Sequence, residues 1–251
     1  MDGTKKILDT EKSTKAYNTL LNGAVKLYQP EKGFRVGTDT VFVAAAVRAS
    51  AGDRILDMGA GVGGIGMCLL ERLGDVHVTG IELQSVYASL AAENIKLNKR
   101  EESFTLIEQD VMAFKEINYD VVVTNPPYME NGTYKHSPDT AKNQAIGSIS
   151  LDDWLHVANR ALKPGGLFVM VHRADYLQRI ILSLGSKFGG IEVIPLYSRE
   201  GEPAKRIVVR AIKGSRAPSM MRRGLIVHGN GEGGYSEDAL KVLRGGEALR
   251  P

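Results

Sequence analysis

The apolar positions of this chain change period in a regular way. From residue 54 onward, short runs rich in Val, Ile, Leu and Phe read as strands at 54–58, 77–82, 104–109, 119–124, 167–172, 192–197 and 206–212. Between most of them, at 65–72, 86–98, 151–162 and 175–184, apolar residues recur at helical spacing. Strand and helix alternating in this order predict a doubly wound α/β sheet. The last two strands are joined only by residues 198–205, so they are expected to form a hairpin that puts an antiparallel strand into the sheet. Ahead of the alternation, the run from Thr38 to Val47 predicts a short helix, with Thr38 or Asp39 capping its first turn. Residues 236–243 predict another, with Ser236 as cap and Glu237 and Asp238 in the first turn. The first sixteen or so residues show neither period. We place a partly disordered arm at 1–27 and a single domain, including its C-terminal extension, at 28–251.

Composition changes this picture little. The chain's 251 residues suit one α/β domain with an ample core. A net charge of +3 does not by itself mark a nucleic-acid binder. The stretch from Arg199 to Arg223 is nevertheless basic, holding Lys205, Arg206, Arg210, Lys213, Arg216 and Arg222. The single cysteine, Cys68, falls in an apolar helical run, which points to packing and leaves no disulfide or cysteine-based metal site. The five histidines are scattered, so no metal is expected. The longest apolar run, near 41–47, is far below the roughly 18 residues of a membrane helix. The N-terminus also lacks the plan of a signal peptide, and a soluble cytoplasmic protein with no membrane partner is expected.

Candidate chemistry sits at the strand ends. Gly59, Gly61 and Gly64, after the first sheet strand, match G-x-G-x-x-G, a pattern that plain tight turns also produce. Asp57 leans the reading away from NAD, because a pyrophosphate approaching the next helix would meet a like charge. S-adenosylmethionine carries an ammonium and a sulfonium, which a carboxylate beside a glycine turn suits. Glu82 closes the next strand, where a carboxylate accepts from ribose hydroxyls or caps a helix. Asp110 follows a third strand and either accepts from an adenine amine or caps a short helix. The discriminating motif is Asn125-Pro126-Pro127-Tyr128, directly after the apolar strand 120–124. Its prolines stiffen the backbone and leave carbonyls free to accept. The Asn125 side-chain oxygen and the Pro126 carbonyl can take hydrogen bonds from a planar amine, and Tyr128 can stack on a flat base.

With these motifs in place, the chain from about Tyr28 onward resembles the bacterial tRNA adenine N6-methyltransferases that modify the purine next to the anticodon of a valine tRNA. These belong to the wider class I small-domain methyltransferases carrying Asn-Pro-Pro-Tyr. The resemblance rests on residues 33–39 with the alanine-rich helix that follows, 56–63, 80–82, 125–128, 163–166, 204–206 and 225–228. Segments 33–39 and 225–228 are its narrower signals. It implies a class I Rossmann-like fold, with a seven-stranded sheet whose last strand is antiparallel. It also implies a cofactor pocket for S-adenosylmethionine lined by Asp57, Gly59, Gly61, Glu82 and Asp110, with Val111 and Asp39 beside them. Asn125, Pro126 and Tyr128 would hold an exocyclic adenine amine of tRNA. One segment departs from the family's pattern: 139–148 is rather neutral where a charged stretch is expected. Methylation of a protein glutamine, as in a release factor, is the alternative, since Asn-Pro-Pro-Tyr serves that chemistry too.

Overall fold

The structure, a computed structural model, describes residues 16–31, 35–127 and 149–250. Two short antiparallel strands, β1 (Asn18–Leu20) and β2 (Val25–Leu27), precede α1 (Thr38–Ala46). The alternation then runs β3 (Arg54–Met58), α2 (Gly64–Leu73), β4 (His77–Glu82), α3 (Ser85–Leu97), β5 (Phe104–Glu108) and β6 (Tyr119–Thr124). It continues with α4 (Leu151–Ala161), β7 (Leu162–Arg173), α5 (Leu177–Leu184), β8 (Phe188–Tyr197) and β9 (Ala204–Lys213). Two-residue strands β10 (Met220–Met221) and β11 (Leu225–Ile226) and helix α6 (Glu237–Leu243) close the described chain.

Seven strands lie in the order β8-β9-β7-β6-β3-β4-β5. All are parallel except β9, which runs antiparallel to β7 and β8 and forms the expected hairpin with β8. Among the described residues the sheet nonetheless counts nine strands, because β10 and β11 both add to the outer edge of β8. After β9 the chain returns along that edge and takes up backbone groups that would otherwise be unpaired. Segments of two residues carry no readable period.

The alternation of side chains across the sheet sorts the core into two clusters. Ile55 faces the cluster shared with α1, α2 and α6, whereas Leu56 and Met58 face the one shared with α4 and α5. Both faces are covered, as a mostly parallel sheet requires. Cys68 is buried in the first cluster.

Two expectations change, and one charge run proves uneven. The arm through residue 27 does not hold for 18–27, which pack on α3. Asn98 accepts from Lys26 N at 2.9 Å, Asn94 accepts from Tyr28 N at 2.7 Å, and Val25 and Leu27 are buried. The strands have three residues each, too few to show alternation, and their order comes from side chains far downstream. The cap of α1 is Gly37, without a side-chain bond; Asp39 lies in the first turn and pairs with Arg206 instead. The basic stretch is also not a uniform surface. Arg210 is buried and Arg222 half-buried, and both pair with Glu192, while Lys213 donates to Asn159 O and Leu162 O. Ser236 does cap its helix, accepting from Ala239 N at 3.1 Å. Among the described residues no helix is long and apolar enough to cross a membrane.

Candidate active site

β3 lies between β6 and β4. The chain leaves it on one side for β4 and β5 and comes back on the other for β6. The carboxyl ends of β3 and β6 therefore bound the crevice where open α/β sheets bind ligands.

One wall is the glycine turn. Gly59 and Gly61 have φ of 74° and 57°, conformations that an L side chain rarely adopts. At Gly59 the Trp154 ring stands 3.3 Å from where a Cβ would sit, whereas at Gly61 the same position opens into free space. Glu82, closing β4, ties this turn down. Its two oxygens accept from Gly61 N at 2.9 Å and Gln84 N at 2.8 Å. Burial pushes the Glu82 carboxyl up, opposed by these backbone donors. Asp57 is wholly buried. One oxygen accepts from Gly66 N at 3.2 Å, and the other has no hydrogen-bond partner among the described residues. Desolvation raises its pKa to about 7; the Gly66 N–H opposes this and the charge of Glu82 adds to it.

Asp110 follows β5, so all three acidic residues stand toward the carboxyl ends of adjacent parallel strands. Its Oδ1 accepts from Met112 N at 2.9 Å, the capping role, and its second oxygen accepts no hydrogen bond among the described residues. Val111 is buried and packs in the core cluster that contains Phe114. Asp39 stands between two places: its neighbours Val36 and Thr40 pack against Gly64, while its own carboxylate accepts from Arg206 Nε at 3.1 Å.

The facing wall is the end of β6. Asn125 is half-buried and Pro126 buried. Just before them, the wholly buried Thr124 hydroxyl donates to Met58 O at 2.8 Å and accepts from Trp154 Nε1 at 3.1 Å. Met58 begins the glycine turn, so one hydroxyl fastens the two walls together and to α4. Asn94 is a second fastener: fully buried, it donates to Val62 O at 2.9 Å within the turn and to Tyr28 O at 3.1 Å. Sequence reading missed Thr124, Trp154 and Asn94, whose partners lie 30 to 66 residues away. Asn125 also lines a cavity of about 460 Å³, beside Asp39 and Arg206 and over Phe42, Leu196 and Val227. Tyr128, Gly33, Phe34, segment 139–148 and the arm lysines Lys5, Lys6, Lys12 and Lys15 lie outside the described residues.

The first wall fits S-adenosylmethionine in its donor set. An unpartnered buried carboxylate oxygen on Asp57 suits an ammonium, the space at Gly61 admits a ligand, and Glu82 keeps lone pairs for ribose hydroxyls. Among the described residues no group of three or more His, Cys, Asp or Glu is placed to hold a metal ion.

Comparison with known proteins agrees with this geometry. The family model described as methyltransferase small domain matches residues 33–196. A curated protein of Aeromonas hydrophila, named tRNA1(Val) (adenine(37)-N6)-methyltransferase, is 28% identical over 210 residues, which is 83% of this chain and 88% of that protein. A protein of the same name from Yersinia pseudotuberculosis is 33% identical over 143 residues, 55% of this chain and 56% of that one. Among solved structures, one described as a predicted O-methyltransferase from Agrobacterium tumefaciens superposes with a TM-score of 0.69 at 28% identity, covering 84% of this chain and 98% of its own.

Proposed function

The chain belongs to the methyltransferase small domain family and is an S-adenosylmethionine-dependent methyltransferase; from that premise we propose that it methylates the exocyclic N6 amine of an adenosine in tRNA, beside the anticodon. The observation that carries the proposal is the position of Asn125 and Pro126 across the switch point from the glycine turn, with Asn125 at a cavity wall.

Bound S-adenosylmethionine supplies an electrophilic methyl group on a sulfonium sulfur. The protein's part is to orient and to handle protons. Adenine N6 shares its lone pair with the ring, so the rate comes from holding the nitrogen in line with the methyl and accepting its protons as positive charge develops. In this reading the Asn125 oxygen and the Pro126 carbonyl are those acceptors, on backbone that proline keeps rigid. Thr124 holds them at a fixed distance from the cofactor turn. Tyr128 would stack on the base, an interaction worth roughly 1–3 kcal/mol. Asp57 would hold the cofactor's ammonium, Gly59 and Gly61 its approach, Glu82 its ribose and Asp110 its adenine amine, with Val111 and Asp39 adjoining. The names of the Aeromonas and Yersinia relatives support tRNA as substrate, and tRNA as substrate implies the cytoplasm.

The test is methyl transfer with labelled donor to total tRNA and, separately, to a release factor, followed by mass spectrometry of the nucleosides. N6-methyladenosine is the expected product. Label found only in protein would establish the glutamine reading instead. Label on a nucleoside oxygen would overturn the amine assignment.

A further inference from the structure

Three stretches far apart in the chain meet at the cavity beside Asn125: residues 35–39 at the start of α1, 196–206 from the end of β8 into β9, and 227–228 after β11. They bring three cations, Arg35, Lys205 and Arg206, against one carboxylate, Asp39, among the described lining residues. Asp39 is already engaged by Arg206. Arg35 donates to the neutral Asn18 amide at 2.9 Å and has no ion pair among the described residues. Lys205 is exposed, and its ammonium has no ion pair among the described residues. Below these charges the floor is apolar, made by buried Phe42, Leu196 and Val227. A volume of about 460 Å³ falls within the range of roughly 300–1,000 Å³ typical of small-molecule sites.

An apolar floor with cations at the mouth is suited to a ligand that is flat and uncharged at one end and anionic at the other. A nucleotide has that composition and a glutamine side chain does not. We propose that this cavity receives the target nucleotide as a unit, its base reaching Asn125 and its phosphodiester held by Lys205 and Arg35. The inference rests on the tRNA reading and adds to it a phosphate-binding site that selects nucleic acid over a protein amide. Lys205 acts as a point charge on the phosphate and takes no part in methyl transfer.

The test compares the full-length wild type with Lys205→Met and Lys205→Arg, using total tRNA. Lys205→Met should raise KM for tRNA about tenfold while kcat stays within about twofold. Weaker filter binding of tRNA without cofactor should parallel it. The slope of log KM against log salt concentration should flatten by about 0.7–0.9, the loss of one phosphate contact. Lys205→Arg should restore both, and the urea midpoint and S-adenosylmethionine affinity should match wild type in every variant. Unchanged KM and salt slope in Lys205→Met, with the wild type active on tRNA, would overturn the phosphate site alone. A wild type inactive on tRNA would overturn the substrate reading itself.

Discussion

Replacing Thr124 by Val tests whether one hydroxyl fastens the two walls of the site. Valine keeps the shape and branches at the same carbon, so no cavity forms. What is lost is a donor to Met58 O and an acceptor for Trp154 Nε1, in a place where Thr124 and Met58 are 0% exposed and Trp154 is 4% exposed. The indole N–H is left buried without a partner, at about 1–3 kcal/mol, and the loss of one donor to the Met58 carbonyl adds something smaller. A loss of about 2–4 kcal/mol follows, or roughly 4–16 °C in melting temperature for a chain of this size. Serine is the informative control. It keeps both hydrogen bonds and gives up one methyl group, at about 1 kcal/mol. Urea unfolding followed by circular dichroism should therefore rank wild type above Thr124→Ser and Thr124→Ser above Thr124→Val. Simple burial of apolar area predicts the opposite order, since valine is the more hydrophobic side chain. A Thr124→Val protein as stable as wild type, or more stable than the serine variant, would refute the reasoning.

Other outcomes follow from the same geometry. On α2, Gly66→Ala should destabilise despite the roughly 1 kcal/mol gain in helix propensity, because the new Cβ would lie 2.7 Å from Phe104 Cζ; urea unfolding should show a net loss of about 1–2 kcal/mol, and Phe104→Leu in the same chain should recover part of it. Asp57, with a pKa of about 7, is half protonated at neutral pH, and a bound cation favours its charged form. S-adenosylmethionine should then bind more tightly as pH rises through 7 and level off above it; calorimetry at pH 7 in buffers of different ionisation enthalpy should show release of about half a proton, and Asp57→Asn should abolish it. Because the folded pKa lies above the ordinary 3.8, the same group makes the cofactor-free fold less stable as pH rises from about 4 to about 7, a slope that Asp57→Asn should remove in pH-dependent unfolding. Asn125→Ala should lower kcat by about 10²-fold or more with cofactor affinity retained, whereas Asp57→Ala should chiefly weaken cofactor binding, both read from steady-state kinetics and calorimetry.

Much of this fold is legible in the order of residues, and the boundaries show why. β3, β4 and β6 start and stop where their apolar runs do, because both faces of each are buried. β8 begins at Phe188, four residues before its readable run, since Gly189 and Gly190 carry no side chain from which a period could be read. The hairpin of β1 and β2 and the edge strands β10 and β11 are held by partners rather than by their own pattern. At the site, Asp57, Glu82, Asp110 and Asn125 stand out because each marks a strand end. The bond from Trp154 to Thr124 leaves no such mark, because it joins residues whose nearness only the packing of α4 creates. Nor does a run of basic residues reveal that Arg210 is buried while Lys205 is exposed. The segments that carry the narrower resemblance, near Asp39 and His228, lie far apart in the chain, and nothing in the order of residues says why both are kept. Both are walls of the cavity beside Asn125.

The clamp that Asn94 and Asn98 place on Lys26 and Tyr28 has a consequence for the order of events during synthesis. These bonds span 66 to 72 residues, so at about 5–20 residues per second the first strands wait roughly 3–14 s on the ribosome for α3 to be made. Strands of three residues do not hold together unaided for that time, and Val25 and Leu27 stay in water until the helix arrives. The same Asn94 amide then binds Val62 O, so the segment at Tyr28 and the glycine turn are locked in one event. Residues 25–28 are thus among the last described parts to settle, and the glycine turn settles with them.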